Sequence, residues 1–254
     1  MNKVAALIGY RLFIKSVKSE YSNMALSYLW NFAEPISLAI IFAILRSGNI
    51  LQVSESSYPF FLYLLTGLFP FQLFFSHVQR CNNSTEAYSD LLNQINIPPI
   101  SIIYAAYFHW LFDSLFVGIV ISISCIMFSL NSFIYLPFAF LYLQLFGLLA
   151  IGIGSFAAPF NAIYKDISKI ISLTLRPLMF ASPIFYIAYD SDILNKFNQF
   201  NPIAIFLANY RAMTLDSSMF SWNSFITFVL ICGFFISLGT WFFIKALPKL
   251  NTKI

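Results

Sequence analysis

The chain has 254 residues, 59% of them hydrophobic and 9% charged, with a mean hydropathy of +0.78 and a formal net charge of +4. Soluble domains carry about 25% charged residues, so composition excludes an ordinary soluble enzyme and points to an all-α polytopic membrane protein. No polar stretch is long enough to build a second core, so residues 1–254 read as one transmembrane domain. The basic residues cluster at the edges of apolar runs, where membrane orientation accounts for them and nucleic acid is not needed. Cys81, Cys125 and Cys232 imply neither a disulfide framework nor a metal site.

Residues 3–21 read as an interfacial amphipathic helix. At 100° per residue Arg11, Lys15 and Lys18 share one face, while Tyr10, Phe13, Ile14, Val17 and Tyr21 share its neighbour. A signal peptide fits less well, because Arg11 interrupts the apolar run and no small-residue cleavage site precedes the next span. The first span is expected over residues 26–45, entered through Tyr28 and Trp30 and carrying Glu34 followed by Pro35. A second span covers 58–77, with Pro70 inside it. The polar interval that follows, up to Asn96, contains a short helix from Ser84, with Leu91, Leu92 and Ile95 on one apolar edge, stopped by Pro98 and Pro99.

The third span, 101–130, is longer than the membrane needs and carries His109 and Asp113. After a turn at Asn131 and Ser132, the fourth covers 133–159, where Ala150, Gly154 and Ala158 at intervals of four permit close helix contact. A short basic loop leads to the fifth, 170–188, which contains Arg176, Pro177 and Pro183. Residues 189–221 are too polar and too short in apolar run to cross, and read as an interfacial or re-entrant segment. The sixth span, 222–244, ends in Lys245, Lys249 and Lys253.

Six spans place both termini on one side. With the N-terminus inside, ten of the fourteen basic residues fall on the inner side, three (Arg46, Lys196, Arg211) on the outer, and Arg176 within the membrane. The positive-inside rule therefore makes both termini cytoplasmic.

Three groups of residues invite chemistry. His109 and Asp113 lie four apart on one helical face, so they offer either an intramembrane relay or catalytic dyad, or a hydrogen-bonded pair joining two helices. Asn82 and Asn83 match N-x-[ST] but fall on the inner side, where glycosylation does not occur. Glu34 and Arg176 each sit six residues into a span from its inner end, about 9 Å deep, whereas Asp113 is roughly 16 Å deep. The two matched charges are expected either to pair, within a subunit or between two, or to act separately, with Arg176 snorkelling and Glu34 protonated. Gly152 and Gly154 lack the rest of a nucleotide fingerprint and read as packing residues.

Four stretches carry a resemblance: LSYLWNFAEP with Tyr28, Trp30 and Pro35; YLLTGLFPF with Gly67 and Pro70; LRPLMFASPIFY with Pro177; and NPIAIFLANYR with Asn201, Pro202 and Arg211. In this order and spacing the chain resembles the ABC-2 type exporter permeases, most nearly the capsular-polysaccharide and O-antigen export permeases. Ser27 stands where that family commonly has Gly, and Ala208-Asn209 where an acidic residue is usual. The resemblance implies a homodimeric permease in the bacterial inner membrane, driven by a dimer of a separate cytoplasmic ATPase that binds ATP and Mg. It further implies that the permease moves a lipid-linked polysaccharide among membrane lipids, with periplasmic and outer-membrane export proteins as further candidate partners. It also implies that the ATPase docks on the segment holding Glu86, Asp90, Leu91, Leu92 and Ile95, and that Tyr28, Trp30, Tyr63, Phe71, Phe185 and Tyr186 are candidate channel aromatics. None of the nine glycines precedes a lysine, so the chain lacks the phosphate-cradling loop of an ATPase and is expected to hold no cofactor of its own. A permease for a drug or another lipid-linked cargo, and an intramembrane enzyme using His109 and Asp113, are the alternatives.

Overall fold

A computed structural model describes residues 2–22, 27–48, 58–89, 91, 97–128, 134–186, 192–216 and 219–250. The described residues contain helices and no strand. In chain order they are α1 (Asn2–Ser22), α2 (Ser27–Ser47), α3 (Phe60–Asn82), α4 (Ser84–Ala87), α5 (Ile100–Met127), α6 (Leu136–Ile163), α7 (Asp166–Ala181), α8 (Asp192–Phe200), α9 (Pro202–Thr214) and α10 (Trp222–Leu250). Four of them, α3, α5, α6 and α10, are long and apolar enough to cross a membrane. α2 has 21 residues and covers the expected first span.

The boundaries shift for physical reasons. α5 and α6 have 28 residues each, about 42 Å, which exceeds the roughly 30 Å hydrocarbon core and carries their ends into the polar layers. α6 continues through Pro159, and α10 runs to Leu250, beyond the expected end at 244. α7 begins four residues before the expected span but stops at Ala181 after 16 residues. The cause is Pro183: the residue before a proline is pushed out of the helical region, and Ser182 is extended at φ −85°, ψ 154°. The short helix expected from Ser84 is described only as far as Ala87, and the turn at Asn131 and Ser132 lies outside the described residues.

α3 is the spine, buried along most of its length and touching α2, α5, α6, α7 and α9. On α6, Phe146 stacks on Phe74 at 4.5 Å and on Phe206 of α9 at 4.0 Å. Trp110, Tyr142 and Phe228 close this aromatic core. Contact pairs fix the helix directions. α2 is antiparallel to α3, with Arg46 over the Phe60 ring and Gln72 bonded to Glu34. α5 is antiparallel to α6, through Trp110 against Gly147 and Gln144 Nε2 donating to Ser114 Oγ at 3.2 Å. α6 and α10 run parallel, through Tyr142 with Phe228 and Phe160 with Phe242.

Small residues set the closest contacts, as expected where lipid tails leave helices no hydrophobic reason to associate. A Cβ on Gly152 would lie 2.6 Å from the Phe235 carbonyl of α10, and one on Gly154 would lie 2.5 Å from Cys81 Cβ of α3. The two glycines therefore serve opposite faces of α6. α1 packs on α5 through Ala5, Gly9, Leu12 and Phe13, while Arg11, Lys15 and Lys18 stay exposed.

Gly152→Val should thus force α6 and α10 apart at a cost of about 1–3 kcal/mol, seen as a lower unfolding temperature in detergent. Gly233→Ala, on the same α10 but with no atom within 4 Å of the added carbon, should leave that temperature unchanged.

Candidate functional site

α7 ends with its last carbonyls open, and the short segment after it is bound by side chains from three other elements. Asn198 of α8 donates its Nδ2 to Ala181 O at 3.3 Å, and the Tyr186 hydroxyl donates to the same oxygen at 2.6 Å. The Tyr63 hydroxyl of α3 donates to Tyr186 O at 2.7 Å and to Pro183 O at 3.2 Å. Arg211 of α9 reaches the Pro183 carbonyl through Nη1, and through Nη2 the carbonyls of Tyr63 at 3.2 Å and Ile184 at 3.5 Å. Its guanidinium carbon lies 3.5 Å from the centroid of the Tyr63 ring, a cation–π contact. Gly67 makes room for it, since a Cβ there would come within 2.6 Å of Nη2. Arg211 is buried; a planar fork of donors suits a cluster of carbonyls better than a lysine would.

Local sequence explains how α9 presents this arginine. Asn201 caps the helix, its Oδ1 accepting from Ile203 N at 3.0 Å, with Pro202 at the first helical position. Asn201 Nδ2 donates to Ser182 Oγ at 2.8 Å, tying the start of α9 to the break itself. At the other end Asn209 makes a two-way clip to α10, Nδ2 donating to Ser221 O at 3.1 Å and Oδ1 accepting from Ser221 N at 3.0 Å. A carboxylate at this position could accept but not donate.

Tyr63, Gly67, Pro183, Tyr186, Asn201 and Arg211 come from three of the four stretches that carry the resemblance, and they meet here. The fourth stretch lies in α2, and it is a later residue of that helix, Phe42, that meets the region, stacking on Phe185 at 4.0 Å. Among the candidate aromatics, Phe71 packs inside the protomer, Tyr63 and Phe185 are buried in the node just described, and Tyr186 is half-buried. The side chains of Tyr28 and Trp30 lie outside the described residues. Pro35 and Pro70 are buried within α2 and α3, and Pro177 is exposed on α7.

The two matched charges flank α3. Glu34 Oε2 accepts from Gln72 Nε2 at 2.7 Å, and the Arg176 guanidinium lies 5.9 Å from the Phe75 ring centroid. Gln72 and Phe75 are three residues apart, so the charges lie within about one turn of the same level, yet within one protomer they contact α3 and not each other. Asp113 is brought to His77, which sequence reasoning passed over, with Oδ2 3.4 Å from His77 Nε2. His109 instead sits edge-on to Phe13 of α1 at 4.9 Å. The expected His109–Asp113 face thus splits between two neighbouring helices, and among the described residues no group of three or more histidine, cysteine or carboxylate side chains could hold a metal.

The opposite end of α3 carries a second polar cluster. Asn161 Nδ2 donates to Asn83 Oδ1 at 3.1 Å, and its Oδ1 accepts from Ser168 N at 3.1 Å, closing the start of α7. Gln79 Nε2 donates to Ser172 Oγ at 2.8 Å, and Arg80 pairs with Glu20 of α1 at 2.6 Å. Glu86 is exposed and pairs with Lys165 at 3.1 Å; Leu91 is half-buried against the core. Asp90, Leu92 and Ile95 lie outside the described residues. Burial raises the Tyr88 phenol above its ordinary value, only partly offset by the nearby Arg80 charge.

No family model matches the chain. Among curated proteins it is similar to the polysialic acid transport protein KpsM of Escherichia coli, 27% identical over 183 residues, covering 69% of this chain and 68% of that one. It is also similar to the O-antigen export system permease protein RfbA of Klebsiella pneumoniae, 23% identical over 232 residues, 88% of this chain and 85% of that one. The chain is thus similar, over two thirds or more of its length, to proteins named for the transport of polysialic acid and the export of O-antigen.

Removing the fork of donors would strand buried carbonyls, at about 1–3 kcal/mol for each group left unsatisfied. Arg211→Gln should therefore loosen the segment around Pro183, read as faster protease cleavage there in detergent-solubilised protein. Arg211→Lys should restore only part of the protection, because a lysine cannot span the same carbonyls.

Proposed function

We infer that the chain is the membrane permease subunit of an ATP-driven exporter of a cell-surface polysaccharide. The observation that carries this reading is that relatives named for two different surface glycans align with most of this chain, on a fold of span-length helices. These 254 residues contain no ATPase loop, and the energy is proposed to come from a partner subunit. A relative named as the permease protein of an export system supports a separate cytoplasmic ATPase, with ATP and Mg held there.

We propose six passes, with both termini cytoplasmic and α1 at the inner surface, presenting Arg11, Lys15 and Lys18 to the lipid headgroups. The helix directions support this count. α2, α5 and α7 run one way and α3, α6 and α10 the other, the alternation that successive passes require. The cluster around Glu20, Arg80 and Lys165 then faces the cytoplasm, and the Arg211 node faces outward. Two copies of the chain are proposed to enclose the path, with the ATPase docking beside Glu86 and Leu91.

Deleting the gene in its own host should abolish the surface glycan and leave it inside the cell, and a P-loop ATPase should copurify with the tagged permease. A host that keeps its surface glycan would overturn the polysaccharide reading. Topology has a separate readout, helped by the burial of the native Cys81, Cys125 and Cys232. Cysteines placed at Lys196 and Met219 should react with a membrane-impermeant reagent on intact cells, whereas those at Glu86 and Lys165 should react only after permeabilisation.

A further inference from the structure

Beside the Arg211 node, α8, α9 and the first turns of α10 enclose a cleft of about 560 Å³, within the roughly 300–1,000 Å³ of small-molecule sites. Its floor is apolar, made by Pro183, Ala204, Ile205 and Ala208. Its rim is a set of carboxamides and hydroxyls: Asn195, Asn198 and Gln199 from one face of α8, and Asn223, Ser224 and Thr227 from α10. Among the described residues no charged side chain lines it.

The rim divides into committed and uncommitted groups. Asn198 is spent on structure, donating to Leu194 O at 2.9 Å and to Ala181 O. Thr227 Oγ1 donates to Asn223 O at 2.8 Å, and Ser224 Oγ is bonded to Ser221 Oγ. The carboxamides of Asn195, Gln199 and Asn223 take part in no hydrogen bond, ion pair or ring contact of the described protein. Three neutral groups, each able to donate and to accept, therefore surround an apolar floor on two walls of one cleft.

We propose that this cleft is a saccharide-binding site, selective for an uncharged, hydroxyl-rich stretch of glycan. A pyranose ring offers hydroxyls at its edge, which both donate and accept, and C–H faces that suit a floor of proline, alanine and isoleucine. An acidic glycan would instead be held best by a cation, through charge-assisted bonds, and none of the described residues that line the cleft supplies one. The proposal rests on the export reading and on the orientation given above, in which the cleft opens on the outer side. The cleft then holds the emerging chain after it has passed the membrane.

Photo-crosslinking in glycan-exporting cells tests this. A benzoylphenylalanine placed at Ala208, an exposed position lining the cleft, should yield a permease adduct of high mass that collapses on digestion of the host's own glycan. The combined change Asn195→Ala with Asn223→Ala should lower that yield at least fivefold. A second crosslinker at Phe180, exposed on α7, samples cargo at membrane level, and its unchanged adduct in the same variant shows that the variant folds and exports. Glycan adducts at Phe180 but none at Ala208 would overturn the cleft and leave the export reading standing. Glycan at neither position would count against the export reading itself. A protein adduct at Ala208, an adduct carrying an acidic glycan, or a yield unaffected by the alanine pair would each reject the assignment.

Discussion

The constraint on which this structure depends is that backbone carbonyls inside a membrane must find donors within the protein. α7 stops after 16 residues, about 24 Å, short of the roughly 30 Å a crossing requires. The segment beyond it is not helical and satisfies itself only in part. From Ala181 to Tyr186 the Ser182 carbonyl accepts from Ile184 N, and the carbonyls of Ala181, Pro183, Ile184 and Tyr186 are reached by a tyrosine hydroxyl, an asparagine amide or the Arg211 guanidinium. This explains an otherwise costly feature, a buried arginine near apolar surroundings: its charge is shared over three carbonyls and one aromatic face. Gly67 on α3 and the Asn201 cap on α9 follow from it, one as the space the guanidinium occupies and the other as the device that aims its helix.

α3 links this node to the polar cluster at its other end. Tyr63 and Gly67 hold the segment after α7, while Gln79 and Asn82 lie beside the residues that begin α7 and end α6. A single helix, close-packed along most of its length, thus fixes both ends of α7. The Asn82 and Asn83 pair, which on sequence alone matches a modification motif, is explained by this role, since Asn161 binds them both. For an exporter driven from one side, such a spine is a rigid connection between the surface where an ATPase would act and the break where the chain is least regular.

Much of this was legible in the sequence because it rests on run length and on proline. The apolar runs that became α3, α5, α6 and α10 were readable to within about six residues at either end, and a packing role followed for Gly154 from its spacing and for Gly152 from the missing fingerprint. What sequence could not supply was the third dimension. His109 and Asp113 share a helical face by spacing, yet a face is wide enough to meet two neighbours, and α1 took one residue while α3 took the other. Glu34 and Arg176 matched in depth, but depth says nothing of azimuth, and α3 stands between them. The early end of α7 was signalled by Pro183; an expected span length of about 20 residues outweighed it, although prolines at 35, 70 and 159 are accommodated within helices.

The resemblance-bearing residues divide by what they touch. Tyr63, Gly67, Asn201 and Arg211 are committed to protein groups, so their recurrence in a motif is accounted for by the broken helix and carries no information about cargo. Pro183 is the exception. Its carbonyl is held by Arg211 and Tyr63 while its ring forms part of the floor of the amide-rimmed cleft. Nothing comparable constrains Asn195, Gln199 or Asn223, whose side chains satisfy no backbone group. Freed from the accounting that fixes the node, these positions can vary with the glycan while the fold beneath them stays the same, and the boundary between the two sets runs through one proline.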